Sequence, residues 1–156
     1  MSTDIDIRRK TELWLCAMLN EALAGREGTV LVAYPAMGGN LDENGEDTND
    51  AANTPTGPYI GVRVIDCEEQ LNNNTWSAVA EVIYISNTAD LTSPAHAADE
   101  RAISDALTTL RDSCRGLYQP INLTVYGMET ARGEAYSDEG DQSHGSALRV
   151  TLGVGG

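Results

Sequence analysis

Apolar residues recur along this chain at two spacings, and the change from one to the other divides it into elements. Between Asp4 or Asp6 and Ala24, the residues Leu13, Trp14, Ala17, Met18 and Leu23 fall at helical intervals. That predicts a first helix, capped by Asp4 or Asp6 and closed by Gly25, with Trp14 and Met18 in the core. Residues 29–34 (TVLVAY) are a short apolar run between Gly28 and Pro35 and read as a buried strand. After Pro58 the period shortens to two. In residues 59–68, Ile60, Val62 and Val64 alternate with Gly61, Arg63 and Ile65. Residues 69–74 (EQLNNN) read as a turn. Residues 75–86 (TWSAVAEVIYIS) form the longest strand, apolar on both faces apart from Ser77 and Glu81. So short a connection makes these two strands an antiparallel hairpin. A strand apolar on both sides anticipates a helix on one face and a neighbouring subunit on the other.

Ser93 and Pro94 are a cap and a first-turn proline, which predicts a second helix. It places Ala102, Ile103, Ala106, Leu107, Leu110 and Cys114 on one stripe, and Gly116 ends it. Residues 121–128 alternate again. Near the C-terminus Leu148, Val150, Leu152 and Val154 face one way, while Ala147, Arg149 and Thr151 face the other. These last two strands are expected to pair. The order is α-β-loop-β-β-α-β-loop-β, without repeat or linker. The expected architecture is one α+β domain over residues 1–156, with a mostly antiparallel sheet of four to five strands. Two main helices pack on it, and two long polar loops leave it.

Those two loops change the picture. Residues 38–57 carry Asp42, Glu43, Glu46, Asp47 and Asp50 with no Lys or Arg. Residues 129–145 carry Glu129, Glu134, Asp138, Glu139 and Asp141 against the single Arg132. Long polar loops on a small domain are usually disordered or occupied by a partner. The whole chain has 10 Lys and Arg against 24 Asp and Glu, a net charge of −14. Such a field repels a phosphate backbone, so binding nucleic acid by counterion release is excluded. Lys10 is the one lysine. Phe is absent, which leaves the core to Leu, Ile, Val, Ala and Met.

Three cysteines, Cys16, Cys67 and Cys114, have neither the number nor the spacing of a disulfide framework or a zinc knuckle. The first residues, MSTDIDIRRK, lack an apolar leader, and no run reaches membrane-spanning length. Synthesis in a reducing cytoplasm is expected, with no membrane partner.

Catalytic patterns fail one by one. A hydrolytic triad needs a base near a nucleophile, but His96 lies near a helix start and His144 in a loop, neither beside a nucleophile motif. Asp42-x-Asn44-x-Glu46 resembles the start of a calcium loop, yet Asp47 stands where that loop needs Gly and Asn53 where it needs the bidentate Glu. The carboxylate pairs Glu68–Glu69 and Asp99–Glu100 sit in a turn and a helix start, where acids are favoured in any case. GMETARGE fits no phosphate-binding loop. No enzyme, metal or cofactor is expected.

The parts ELWLCAMLNEALAG, TVLVAY, YIGVRVIDCEEQLNNNTWSAVAEVIYIS, ERAISDALTTLRDS, INLTVYGM and ALRVTLGV, in that order around a large loop, resemble the tail terminator (tail completion) proteins of long-tailed bacteriophages. The resemblance lies in element order, length and loop placement, over most of the chain. It implies a virion subunit, made in the host cytoplasm, that assembles with itself into a ring, typically a hexamer. The ring sits at the head-proximal end of the tail tube, stops tube polymerisation and joins the head connector or neck protein. DNA would cross its channel without specific binding, which suits the acidity. On this reading Asp42, Glu43, Glu46, Asp47 and Asp50 point to the lumen or an adjoining ring. Residues 129–145 make a second projecting hairpin or loop, with Glu134, Asp138 and Glu139, whose Arg132 pairs with a neighbour's acids. Arg63 and Arg149 are candidates for ion pairs between subunits. Two alternatives fit the same pattern: another neck, adaptor or tail-tube subunit, or, in a different class, a small α+β enzyme or ligand-binding domain.

Overall fold

A computed structural model describes residues 3–24, 31–35, 58–70, 75–86, 94–138 and 143–155, with backbone alone at 86, 95–96, 132–138 and 143–146. The first helix, α1, runs Asp4–Leu23. Its cap is Thr3 rather than either aspartate. The Thr3 hydroxyl accepts from the Asp6 amide at 3.2 Å, and the Thr3 amide donates back to the Asp6 carboxylate at 3.3 Å. This reciprocal box satisfies two amides that a helix start otherwise leaves without partners. The expected stop at Gly25 lies outside the described residues. Residues 11–16 of α1 are buried without interruption, although Thr11 and Glu12 are polar. A helix enclosed on all sides shows no clean stripe in its sequence.

Among the described residues, six strands form one mixed sheet in the order β1-β2-β3-β6-β5-β4. They are β1 (Ala33–Pro35), β2 (Tyr59–Glu69), β3 (Thr75–Ser86), β4 (Gly116–Tyr118), β5 (Leu123–Asp138) and β6 (Ser143–Gly155). The expected four to five strands become six because β4 is a three-residue strand with no alternation to announce it. Between β4 and β5 the chain makes one 3-10 turn, Gln119–Ile121, and reverses at Asn122 (φ 53°, ψ 52°), a left-handed conformation that Asn tolerates. Only β1 against β2 is parallel; the other ladders are antiparallel. β1 includes Pro35, which was expected to bound it. The strand is at the sheet edge, where a missing N–H is tolerated.

The second helix, α2, spans Pro94–Ser113, and its expected stripe packs inward, with Ile103 and Leu107 buried. It ends before Gly116, which instead opens β4 at φ 138°. A side chain at that position would be strained.

The second acidic stretch resolves into a hairpin. β5 continues to Asp138 and β6 begins at Ser143, so only residues 139–142 lie outside the description. Periodicity missed this extension because β5 has bulges between Val125 and Gly127 and between Arg132 and Ala135. Each adds one residue and breaks the period of two.

Both helices pack on one side of the sheet. The core between them includes Ile60, Val62, Ala80, Val82, Val150 and Leu152, all at most 1% exposed. Strand alternation then puts a second set of residues on the opposite face.

Candidate interaction face of the sheet

Register alone defines that second face. Cross-strand partners form transverse rows: Gly61–Ile83–Ala147, then Arg63–Glu81–Arg149–Ala131, then Asp66–Val79–Thr151–Glu129. In β3, Val79, Glu81, Ile83 and Ile85 are half-buried, while Arg63, Arg149, Thr151 and Glu129 are exposed. Beside the first row, Tyr34 of β1 and Tyr59 of β2 meet edge to face with ring centres 6.1 Å apart. At the far corner, Leu117 and Tyr126 are 54% and 52% exposed. The face is therefore apolar at one end, charged across the middle, and aromatic again at the β4–β5 corner.

The charged row holds two arginines for one glutamate. Arg63 reaches Glu81 at 3.8 Å, with its own side chain largely in solvent. A pair that long and that wet contributes little to stability. Arg149 is the partner of Glu81 on the other side, yet forms no ion pair among the described residues. The structure thus brings Arg63 and Arg149 into one row, a grouping the sequence did not anticipate. Arg132, Glu134 and Asp138 lie in β5 with only their backbones described. Glu139 and the whole of 38–57, with Asp42, Glu43, Glu46, Asp47 and Asp50, lie outside the described residues, as does the calcium-like fragment.

The β1–β2 edge is closed by side chains of α1. Asn20 bonds both backbone groups of Ala33: its amide donates to the carbonyl at 3.3 Å, and its oxygen accepts from the N–H at 2.7 Å. Past Val62, where β1 no longer pairs with β2, Val64 N–H donates to the Glu12 carboxylate at 3.1 Å. The Val64 carbonyl accepts from the Arg8 guanidinium at 3.2 Å. Arg8 is held in turn by Asp4 at 2.6 Å, which raises its already high pKa. Polar side chains here stand in for a missing strand and block the edge from pairing further. Sequence reading missed Glu12 and Asn20. The available signal was Glu12, a carboxylate directly before the apolar run LWLCAML.

Asp99, expected at a helix start, is 5% exposed and accepts the Tyr84 hydroxyl at 2.5 Å, tying α2 to β3. Glu68 and Glu69 are exposed at the end of β2 rather than in a turn. Burial, then the nearby Glu12 charge, pushes the Cys16 thiol well up; burial also raises Cys114. Burial first, and then Asp4, pushes Cys67 up to about 11. None is a poised nucleophile. No group of three His, Cys, Asp or Glu is placed to hold a metal among the described residues. A small cavity of about 180 Å³ opens between α2 and the β5–β6 pair, lined by Ser104, Leu107, Thr130, Ala131 and Leu148. It offers two hydroxyls and no titratable group. His96 falls in α2 and His144 in β6, with only their backbones described. No helix of the described residues is long and apolar enough to cross a membrane.

No family model matches the chain, and no curated protein matches it. Among solved structures it is similar to a chain from the virion of a native gene transfer agent particle, with 15% identity and a TM-score of 0.46. The match covers 98% of this chain and 96% of that one. A likeness that loose concerns the course of the backbone and assigns no role to any residue.

Proposed function

We propose that this protein is a structural, non-catalytic virion subunit that assembles with itself into a ring, typically a hexamer, and acts as a tail terminator. The ring ends tail-tube polymerisation at the head-proximal end and presents a surface to the head connector or neck protein. The observation that carries this reading is the sheet face opposite the helices. It combines half-buried Val79, Ile83 and Ile85 with the Arg63–Glu81–Arg149 row, and no described element packs on it. Apolar side chains mixed with arginine are the composition of a protein–protein contact rather than of a solvated surface. The element order and the two acidic stretches add to it. Carboxylates along a channel would let an exiting duplex pass without adhesion, because a net charge of −14 repels phosphate. The acids of the β5–β6 hairpin, Glu134, Asp138 and Glu139, are assigned to that channel, and Arg132 to a neighbour's carboxylates.

The test is the mass of the purified protein together with electron microscopy, alone and with tail-tube protein. Single rings that cap tubes are expected, with no retention of duplex DNA at physiological salt. Stacked rings of this protein alone would make it a tube subunit instead. A monomer that persists with tube protein present sinks the proposal.

A further inference from the structure

We propose that the open sheet face receives residues 38–57 of a second copy, whose carboxylates pair with Arg63 and Arg149; this rests on the self-assembly reading above. Two guanidiniums flank one carboxylate in the central row, and Glu81 turns toward Arg63, so Arg149 is an exposed cation on a strongly acidic chain. Copies carrying a charge of −14 repel one another unless cations of one meet anions of the next. The chain has only 10 cations, and two of them stand together here. Each copy also offers Asp42, Glu43, Glu46, Asp47 and Asp50 in a stretch with no Lys or Arg.

Reach permits the contact. About 22 residues separate Pro35 from Pro58, enough to extend roughly 35 Å out and back at ~3.3 Å per residue. The centre of a six-stranded sheet is about 12 Å from its edge at ~4.8 Å per strand. Ile83 and Ala147 on one side of the arginine row, and Val79 and Thr151 on the other, flank the ion pairs and would displace part of the water around them. Face and stretch are different surfaces of the same chain, so the contact is heterologous. Repetition of such a contact closes a ring where the rotation permits. The sealed β1–β2 edge fits this arrangement, since copies join through a face and not by extending the sheet.

Charge reversal tests it. The variant Arg63→Glu/Arg149→Glu, and separately the variant with Asp42, Glu43, Glu46, Asp47 and Asp50 all changed to Lys, are compared with wild type by mass at low and high salt. Each is expected to associate at least about tenfold more weakly than wild type. The chain carrying both sets of changes is expected to recover assembly, because the charges are exchanged. High salt should weaken the wild-type ring. Arg149→Gln, which leaves Arg63 and Glu81 in place, should weaken association about threefold with an unchanged thermal melt, which separates a lost contact from a lost fold. A wild-type ring that survives the arginine reversal, or a combined variant that fails to reassemble, overturns this inference and leaves the ring reading standing. A wild-type monomer removes both.

Discussion

β3 is one strand with two environments. Trp76, Ala78, Ala80, Val82 and Tyr84 point under the helices and are at most 7% exposed. Ser77, Val79, Glu81, Ile83 and Ile85 point the other way and stay half-buried. The covered set is apolar almost throughout, and the Tyr84 hydroxyl within it is bonded to Asp99. The open set mixes apolar residues with a glutamate between two arginines. The first composition suits a face whose partners come from the same chain. The second suits a face that must be soluble before it meets a partner and dry afterwards. On the proposed reading, stability and assembly divide between the two sides of one sheet, and substitutions on each side should report on one property.

The largest expected effect is on the covered side. Leu152 is fully buried at the centre of the sheet, and Leu152→Ala should cost about 2–5 kcal/mol through lost transfer energy and the cavity left behind. Ile83→Ala removes a similar volume from the open face and should cost the isolated chain under about 1 kcal/mol, while weakening association. Denaturant unfolding of both variants checks the contrast; equal losses would mean that the open face is already covered within one copy. Glu12 comes next. It is 2% exposed and holds the Val64 amide at the unpaired end of β2. Glu12→Ala leaves that amide without its acceptor and should cost about 2–3 kcal/mol, with Glu12→Gln keeping part of it. Hydrogen exchange at Val64 should accelerate in the alanine variant.

Much of the covered side was legible in the sequence. Alternation at Ile60, Val62 and Val64 and at Leu148, Val150, Leu152 and Val154 gave the strand faces correctly, and the stripe of α2 packs as its spacing requires. What failed did so for physical reasons. Thr3 outcompeted the aspartates as cap because Asp6, three residues on, could bond back to it. β4 is too short to show a period, and the bulges of β5 break one. Glu12 and Asn20 were invisible because their role, satisfying a strand edge distant in sequence, depends on tertiary contacts. For the candidate face, Arg63 and Arg149 were legible as strand residues pointing away from the core. Their meeting across β3 required the strand order, which local pattern does not specify.

Two smaller effects probe α1, the helix that closes the covered side. The Thr11 hydroxyl is fully buried and has no hydrogen-bond partner among the described residues, so Thr11→Val, which swaps it for a methyl, should stabilise by about 1 kcal/mol in a thermal melt. A loss of stability would mean that the hydroxyl is satisfied after all. The smallest effect is at the solvent-exposed start of the same helix. Thr3→Ala should cost about 0.5–1 kcal/mol at neutral pH. The Thr3 amide, and then its hydroxyl, hold the Asp6 carboxyl below the usual carboxylate range. A depressed folded-state value means that the contribution of Asp6 is complete above its unfolded pKa of about 3.9 and is lost as pH falls through the lower folded value. Melts of wild type and Asp6→Asn should therefore differ at neutral pH and converge in acid below that value. Because Thr3 and Asp6 lie exposed at the helix start and outside the Arg63–Glu81–Arg149 row, acid that removes the cap should leave ring mass unchanged wherever the chain stays folded. A ring that dissociated in step with Asp6 protonation would tie assembly to the helix start and break the division between the two sides of the sheet.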